Sequence, residues 1–206
     1  MFSRQISKTI LRTSHYNFSS LVVAEQFQGK LGDNTRSVVK AASEFGEDIH
    51  ILVHGKDPES QASEAKKISG VSKVLLAKHD DLENATASDL AAVAQKVLKD
   101  GGYKRLITPS TNFGKDFIPR IAGKIDVQPI TDVIKVESEN VFHRPVYAGN
   151  AISIVESSDD IKLITVRPTN FDPVEEGTDE AATEDVDVSD CLGKVDAKWI
   201  ENIVQK

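Results

Sequence analysis

Residues 108–124 read Thr-Pro-Ser-Thr-Asn-Phe-Gly-Lys-Asp-Phe-Ile-Pro-Arg-Ile-Ala-Gly-Lys, and the interpretation of the whole chain starts from them. They follow a short apolar run, residues 103–107, that has the length and flanks of a buried strand. Phe113, Phe117 and Ile121 then recur at helical spacing. A helix is therefore predicted to follow a strand through a short turn, which is where open α/β sheets place their binding surfaces.

Gly114 and Lys115 look like the end of a phosphate-binding loop, but the spacing around them excludes that motif. Such a loop needs a glycine five residues before its second glycine and a serine or threonine after the lysine. Pro109 and Asp116 stand at these two positions, and the Asp116 carboxylate would repel a phosphate. We expect Gly114 to permit a close approach of the backbone instead.

The composition limits the classes of function. The chain has 206 residues, with 39% hydrophobic and 28% charged residues, which is typical of a globular protein. Its formal net charge of −7 argues against a nucleic-acid-binding surface. Its one cysteine, Cys191, cannot form an intrachain disulfide, which fits a reducing compartment. No apolar run approaches the roughly 20 residues that a transmembrane helix needs.

Strand and helix patterns alternate from residue 20 to residue 107. The predicted strands are residues 21–24, 49–53, 74–76 and 105–107, and the predicted helices are residues 33–45, 58–68 and 88–98. This alternation implies parallel strands joined by right-handed crossovers. The sequence therefore predicts an α/β fold with three layers, in which a doubly wound, mostly parallel sheet is buried on both faces.

The pattern changes after Asp126. Residues 130–136, 141–144, 151–155 and 161–166 are short β-type runs with no helix-length spacers between them. Polar turns at residues 137–140 and 157–160 separate some of these runs. We expect all four runs to form an antiparallel extension of the parallel sheet.

Residues 1–19 are predicted to lie outside the fold. Arg4, Lys8 and Arg12 lie four apart, an apolar set with the same spacing is offset by two positions, and no acid occurs before Glu25. On a helix this offset places the basic and apolar stripes on opposite sides. These features are typical of a mitochondrial presequence, although a merely disordered basic tail would share many of them.

Residues 172–190 carry nine acidic residues and no basic residue. We interpret this segment as a solvated acidic linker, and an acidic docking motif is the alternative. Residues 191–206 form the C-terminal tail. Within it, residues 194–205 are predicted to close the chain with a short helix whose apolar side carries Trp199, Ile200 and Ile203.

Four blocks of the sequence match one known family, in order and at matching spacing. They are residues 114–122 (Gly-Lys-Asp-Phe-Ile-Pro-Arg-Ile-Ala), 128–134 (Gln-Pro-Ile-Thr-Asp-Val-Ile), 144–151 (Arg-Pro-Val-Tyr-Ala-Gly-Asn-Ala) and 165–171 (Thr-Val-Arg-Pro-Thr-Asn-Phe). From about Ser20 to its end, the chain resembles the α subunit of the electron transfer flavoprotein. The resemblance implies that residues 20–171 form the N-terminal domain of that subunit, with a fold similar to that of the adenine-nucleotide α-hydrolases.

In that family a second domain holds the FAD, through a Gly-rich Arg-Gly segment, a Gly-Gln-Thr-Gly-Lys turn and a Gly-Ile-Ser-Gly-Ala-type turn. This sequence contains none of the three. The resemblance therefore implies an α subunit reduced to its first domain, with residues 191–206 leading towards an absent FAD domain. We expect the chain alone to bind FAD weakly or not at all and to be inactive. Its expected role is that of a scaffold within an electron carrier rather than that of an enzyme.

The resemblance also implies a cellular role. The family works in the mitochondrial matrix as a heterodimer with a β subunit, and it passes electrons from the acyl-CoA dehydrogenases of fatty-acid β-oxidation to a membrane quinone oxidoreductase of the respiratory chain. The expected role of this chain is to bind the β subunit. Two alternatives stay open, a stand-alone nucleotide-binding module of the same fold and an inactive truncation product.

Eight residues are candidates for a partner or interdomain interface. They are Gly114, Lys115, Pro119, Arg120, Arg144, Tyr147, Gly149 and Asn150. A solvated basic helix face would explain Lys115 and Arg120 equally well, and a turn with positive φ would explain Gly149 and Asn150. His50 and His54 share one face of a predicted strand, but two ligands are too few for a zinc site, so we interpret both as ordinary and predict no metal.

Overall fold

The structure is a computed structural model that describes residues 19–27, 29–178, 180–193 and 199–201. Its strands are β1 (Ser19–Val23), β2 (Gln26–Phe27), β3 (Lys30–Leu31), β4 (Asp48–Gly55), β5 (Val71–Lys78), β6 (Arg105–Pro109), β7 (Ile130–Val133), β8 (Lys135–Val136), β9 (Val141–Val146), β10 (Ala151–Glu156), β11 (Lys162–Val166) and β12 (Ala182–Val186). Its α-helices are α1 (Asn34–Ser43), α2 (Glu59–Ala65), α3 (Ala87–Asp100) and α4 (Asn112–Ile125).

Seven strands form a central sheet in the order β12-β5-β4-β1-β6-β11-β7, and every neighbouring pair is parallel. The apolar residues of these strands alternate between two cores. Val22 and Ile51 pack with α1 and α2 on one face, and Leu21 and Leu52 pack with α3 and α4 on the other. The predicted three-layer, doubly wound α/β fold is confirmed.

Local sequence explains where the longer helices begin and end. At the start of α3, the hydroxyl of Thr86 accepts a hydrogen bond from the backbone N–H of Asp89, and the Asp89 carboxylate accepts one from the backbone N–H of Thr86. Gly101 lies at the C-cap of that helix. The start of α4 packs directly on the end of β6, because Gly114 has no side chain to hold them apart.

The predicted antiparallel extension is only partly correct. Strands β8, β9 and β10 do form a separate antiparallel sheet, in the order β10-β9-β8. However, β7 and β11 join the parallel sheet, where β11 lies between β6 and β7. Residues 162–166 are buried along their whole length, which is the environment of a strand inside a parallel sheet rather than of a half-solvated extension.

Part of the acidic segment forms a strand, which was not predicted, although most of its side chains are exposed to solvent as expected. Residues 182–186 form β12, which pairs in parallel with β5 at the edge of the main sheet. Five acids of the segment, two of them in β12, form ion pairs with basic side chains of neighbouring parts of the chain. The pairs, with N–O distances between 2.7 and 3.5 Å, are Arg36–Glu176, Lys66–Glu180, Lys73–Glu184, Lys78–Asp185 and Lys96–Asp190. The acidic residues of this segment therefore belong to an edge strand and its flanks, which lie against basic side chains of the rest of the domain. The division into domains stays a prediction.

Two predictions fall on residues that the structure does not describe. Residues 1–18 of the predicted presequence lie outside the described ranges, and so does most of the predicted helix at residues 194–205. Across the described parts of the chain, none of the helices combines the length and the apolar character needed to span a membrane.

Candidate functional site

The carboxyl ends of the parallel strands carry two distinct groups of functional side chains. The first group lines a cleft of about 660 Å³, formed by the segments that follow β1, β4 and β5 and by the start of α4. Its wall includes Gln26, His54, Gln61, Phe113 and Trp199. The strand order reverses next to this cleft, because β4 and β6 lie on opposite sides of β1, and such a switch point is where α/β sheets bind ligands.

His54 lies at the end of β4 and is 8% exposed. Neither of its ring nitrogens meets a hydrogen-bond partner among the described residues. Its ring stacks on that of Phe113, with the centroids 6.1 Å apart and the planes 8° from parallel. Burial lowers the pKa of His54 from 6.5 to about 4, so the imidazole is neutral at physiological pH.

Two glutamine side chains at the cleft also carry a buried polar atom without a hydrogen-bond partner among the described residues. Gln61 of α2 is 7% exposed, and its Oε1 finds no donor in the described part of the structure. The Nε2 of Gln26 similarly finds no acceptor there. Buried polar atoms in folded proteins are nearly always hydrogen-bonded, so these three side chains are exceptions, and they lie together around one cleft.

The second group lies near the carboxyl ends of β7 and β11. The Nε of Arg167 donates to Asp132 Oδ1 at 3.1 Å, and its Nη2 bonds the other carboxylate oxygen. Partial burial raises the pKa of Asp132, but the hydrogen bonds and the charge of Arg167 outweigh that effect and hold it below its usual value. Arg144 Nη2 donates to the Thr131 hydroxyl at 2.7 Å, which ties the antiparallel sheet to this corner.

The turn that joins β9 to β10 contains most of the candidate residues on the antiparallel sheet. Tyr147, Ala148 and Gly149 all have positive φ, at 51°, 55° and 90°. Asn150 Nδ2 donates to the carbonyl oxygen of Tyr147 at 2.9 Å and holds the turn closed. The Tyr147 side chain is 83% exposed, so this turn presents an aromatic ring outward.

The antiparallel sheet has one buried and one exposed face. Phe142 lies opposite Val155 in the β9–β10 ladder, and both pack into the core beneath the sheet. On the other face, Ile152 lies opposite Pro145 and Ile154 lies opposite His143. Ile152 and Ile154 are each 61% exposed, so the outer face presents apolar side chains to solvent. Exposed apolar clusters of this kind commonly mark interaction surfaces.

The eight candidate residues fall in two places. Gly114, Lys115, Pro119 and Arg120 lie on α4, where Gly114 is buried against β6 and the other three are exposed. Arg120 is held by Asp116 of its own helix and by the Ser88 hydroxyl at the start of α3. The other four, from Arg144 to Asn150, belong to the antiparallel sheet and its turn.

Sequence reasoning missed the cleft residues Gln26, His54 and Gln61. His54 was grouped with His50, but the two histidines have different environments, because His50 Nδ1 hydrogen-bonds the Tyr103 hydroxyl at 2.7 Å. The available signal was the position of His54 at the carboxyl end of an apolar strand. Within the described ranges, no three histidine, cysteine or acidic side chains are arranged to hold a metal ion.

The described residues do not fit the diphosphate of a dinucleotide at the start of α4. The Thr111 hydroxyl, at the N-cap of that helix, donates to the Glu25 carboxylate at 2.8 Å, so an anion already lies where a phosphate would approach. A Cβ on Gly114 would lie 2.1 Å from the Pro109 carbonyl oxygen, so this glycine is used for packing and leaves no cradle. These residues therefore offer no site for the diphosphate of FAD.

Comparison with known proteins identifies the family. The model of the electron transfer flavoprotein domain matches residues 20–191. The chain is 40% identical over 174 residues to the electron transfer flavoprotein subunit alpha of Pseudomonas aeruginosa, a match that covers 84% of this chain and 56% of that protein. It is 37% identical over 182 residues to the probable mitochondrial subunit alpha of Caenorhabditis elegans, covering 85% of this chain and 55% of that protein.

The mitochondrial subunit alpha of Dictyostelium discoideum is 36% identical over 168 residues, covering 79% of this chain and 47% of that protein. The chain thus spans about half the length of the curated relatives that it matches. The matched residues include nearly all of the parallel sheet, the whole antiparallel sheet and, except for Trp199, both groups of side chains at the carboxyl edge. This chain belongs to the electron transfer flavoprotein domain family.

Proposed function

We propose that this chain acts as the N-terminal part of an electron transfer flavoprotein α subunit, whose role is to bind a β subunit and give the heterodimer its shape. The observation that supports the proposal is the exposed outer face of the antiparallel sheet, with Tyr147, Ile152 and Ile154. Family membership and the names of the relatives support it further. In this proposal the domain begins at residue 20 and includes β12 of the acidic segment, because β12 is a strand of the central sheet, and residues 191–206 form the tail.

The rigid attachment of this sheet supports its use as a binding surface. Phe142 is fully buried beneath it and packs against Phe45 with the ring centroids 6.3 Å apart. Arg144 anchors the same strand to Thr131 in the main sheet. A partner that binds the outer face would therefore meet a preformed surface, which reduces the entropic cost of association.

The remaining features of the role follow from the family proposal. Electrons would pass through FAD in the assembled complex, from acyl-CoA dehydrogenases of fatty-acid β-oxidation to a membrane quinone oxidoreductase. Several relatives carry the word mitochondrial in their names, which supports a mitochondrial location, and we place the chain in the matrix. In this scheme the chain contacts the β subunit and shields the cofactor of the complex, and it has no electron-transfer activity alone.

Co-expression with the β subunit of the same organism tests this proposal. The two chains are co-purified, and size exclusion is recorded at a protein wavelength and at the visible flavin absorbance. We expect a co-eluting complex. A yellow complex would assign electron transfer to the assembly that contains this chain, a colourless one would assign it a scaffold role, and separate elution of the two chains would contradict the proposal.

A further inference from the structure

A second cleft lies at the amino-terminal edge of the main sheet, opposite the edge described above. This amino-edge cleft has a volume of about 280 Å³ and is formed by the starts of β6 and β11 and by residues 139–140 and 157–160. Its lining includes two basic side chains that are more than nine-tenths buried, Arg105 at 3% exposure and Lys162 at 7%. The proposed subunit role gives no function to Lys162.

Lys162 and Arg105 are neighbours on adjacent parallel strands. They are register partners in the β6–β11 ladder, so their side chains leave the same face of the sheet. Two like charges in such positions repel each other, and burial strengthens the repulsion because the local dielectric constant is lower than that of water. The pair therefore costs free energy unless anions compensate both groups or one group is uncharged.

Arg105 has compensating anions, whereas Lys162 does not. Arg105 Nη1 donates to the Glu47 carboxylate, and Arg105 Nη2 donates to Glu139 Oε1 at 2.7 Å. Lys162 Nζ instead donates to the backbone carbonyl oxygen of Asp159 at 2.8 Å. In the part of the chain that the structure describes, Lys162 forms no ion pair with a carboxylate.

The amine of Lys162 consequently loses its proton more easily than that of an exposed lysine. Its pKa is lowered by burial and, next, by the charge of Arg105. The carboxylates of Glu139, Asp159 and Asp160 act in the opposite direction without reversing the shift. A larger neutral fraction makes the amine a better nucleophile, because only the unprotonated nitrogen has a free electron pair.

We propose that Lys162 binds carbon dioxide covalently as a carbamate, and that Arg105 holds the carbamate anion. The neutral Nζ attacks the carbon of CO₂ and an N–C bond forms. One C–O π bond opens, its electron pair moves to oxygen, and a proton from the nitrogen passes to solvent. The product is negatively charged, so the repulsive neighbour of Arg105 becomes its ion-pair partner. This site goes beyond the proposed subunit role.

The cleft is suited to this reaction. Lys162 lines it together with Asp159, whose carbonyl oxygen holds the amine, so the amine lies at the wall of a space far larger than CO₂. The side chain of Glu139 is 73% exposed and that of Glu47 is 16% exposed. Because an exposed ion pair is weak, Glu139 can move into solvent and leave Arg105 Nη2 to the carbamate, while Glu47 keeps the guanidinium in place.

The charges at the rim make the modification reversible. Asp159 and Asp160 line the cleft and oppose an additional anion, and Lys104 offsets only one of them. A free anion would be opposed in the same way without the benefit of a covalent bond. We therefore expect a carbamate that forms under CO₂ and is lost when CO₂ is removed, rather than a tightly bound bicarbonate ion.

Carbon-13 NMR combined with chemical trapping tests the proposal on the full 206-residue chain. The protein is equilibrated with carbon-13-labelled bicarbonate at slightly alkaline pH, and spectra are recorded before and after the CO₂ is removed. Triethyloxonium then converts any carbamate to a stable ethyl ester, which peptide mass spectrometry locates. We expect a carbamate signal separate from those of bicarbonate and dissolved CO₂, and a labelled ethoxycarbonyl group on Lys162.

Matched variants assign the signal to this cleft. Lys162→Arg should remove it, because a guanidinium stays protonated and is not a nucleophile. Lys104→Arg is the control from the same cleft and should keep the signal. Glu139→Gln should raise the carbamate occupancy about twofold or more at limiting CO₂, because a neutral amide competes less well for Arg105 Nη2.

Three results would overturn the proposal. The first is a label found only as bicarbonate, whether free or bound without a covalent bond. The second is a trapped group that is no more abundant on Lys162 than on the exposed lysines, and this result needs only the wild-type protein. The third is a carbamate signal that persists in Lys162→Arg. An unchanged occupancy in Glu139→Gln would overturn the part assigned to Arg105.

Discussion

Gly114 of α4 lies against Pro109 of β6 so closely that a Cβ on residue 114 would be 2.1 Å from the Pro109 carbonyl oxygen and 2.8 Å from the Thr108 methyl carbon. The first of these contacts is with backbone, which cannot rotate away. Gly114→Ala should therefore lower the free energy of unfolding by about 3 kcal/mol, since helix and strand must separate. Urea unfolding followed by circular dichroism measures this change.

Gly123 supplies the matched control in the same helix. A Cβ at this position meets no atom within 4 Å. Gly123→Ala should stabilise the protein by about 0.5–1 kcal/mol through the helix propensity of alanine. Equal effects of the two substitutions would contradict the tight packing of Gly114 against β6.

The ion pairs that surround β12 predict salt-sensitive opening of this strand. Lys73–Glu184 and Lys78–Asp185 are exposed pairs, and each should contribute at most about 1 kcal/mol. Hydrogen exchange of the amides of residues 183–186 should accelerate at about 1 M salt and in Glu184→Gln, whereas the central strand β1 should be unaffected. Glu156→Gln, on the antiparallel sheet, is the control. Exchange at β12 that is insensitive to salt would show that the ion pairs do not hold it.

The ion pair between Arg167 and Asp132 predicts that part of the folding stability is lost in acid. Because the pKa of Asp132 is lowered in the folded state, the pair stabilises the protein above the unfolded-state pKa of about 3.8, and this contribution is lost as pH falls through the lower folded value. Arg167→Gln should raise the midpoint of the Asp132 carboxyl titration, followed by carbon-13 NMR, and should cost about 1 kcal/mol at pH 7. Arg120→Gln should leave that midpoint unchanged, and a shift there would contradict the assignment.

The buried ring of His54 predicts a second pH dependence of stability, at higher pH than that of the Arg167–Asp132 pair. The unfolded state takes up a proton near pH 6.5, and the folded state does so only near pH 4, where the pKa of the buried ring lies. The free energy of unfolding should therefore fall by up to about 3 kcal/mol as pH drops from 6.5 to 4. His54→Leu should remove this part of the slope in urea unfolding, and His79→Gln, in the loop after β5, should keep it. An unchanged slope in His54→Leu would exclude His54 as its source.

Strand and helix positions were predictable because apolar periodicity reports burial directly. The four strands predicted before residue 110 and the helices between them appear where the sequence places them, within about two or three residues at most ends, whereas the two-residue strands β2 and β3 were not predicted. The neighbour of a strand was harder to predict. Residues 162–166 read as one more short β-run, and only the three-dimensional structure shows that they insert between β6 and β7.

Charge was misleading at β12. Its sequence, Ala-Thr-Glu-Asp-Val, has the composition of a linker, and its pairing depends on basic residues such as Lys73 and Lys78 that are distant in sequence. The cleft was missed for a similar reason. The unpaired atoms of Gln26, His54 and Gln61 become informative only once three separate elements meet around one space.

The binding of the β subunit to the outer face of the antiparallel sheet is the central claim, and one affinity comparison tests it most directly. The dissociation constant for the β subunit is measured for the wild type, Ile154→Asp and Lys124→Asp. Residues 154 and 124 are both exposed, but residue 124 lies on α4. We predict that Ile154→Asp weakens binding about thirtyfold or more, as for a contact worth 2 kcal/mol or more, and that Lys124→Asp has almost no effect. Wild-type affinity in Ile154→Asp would contradict the account.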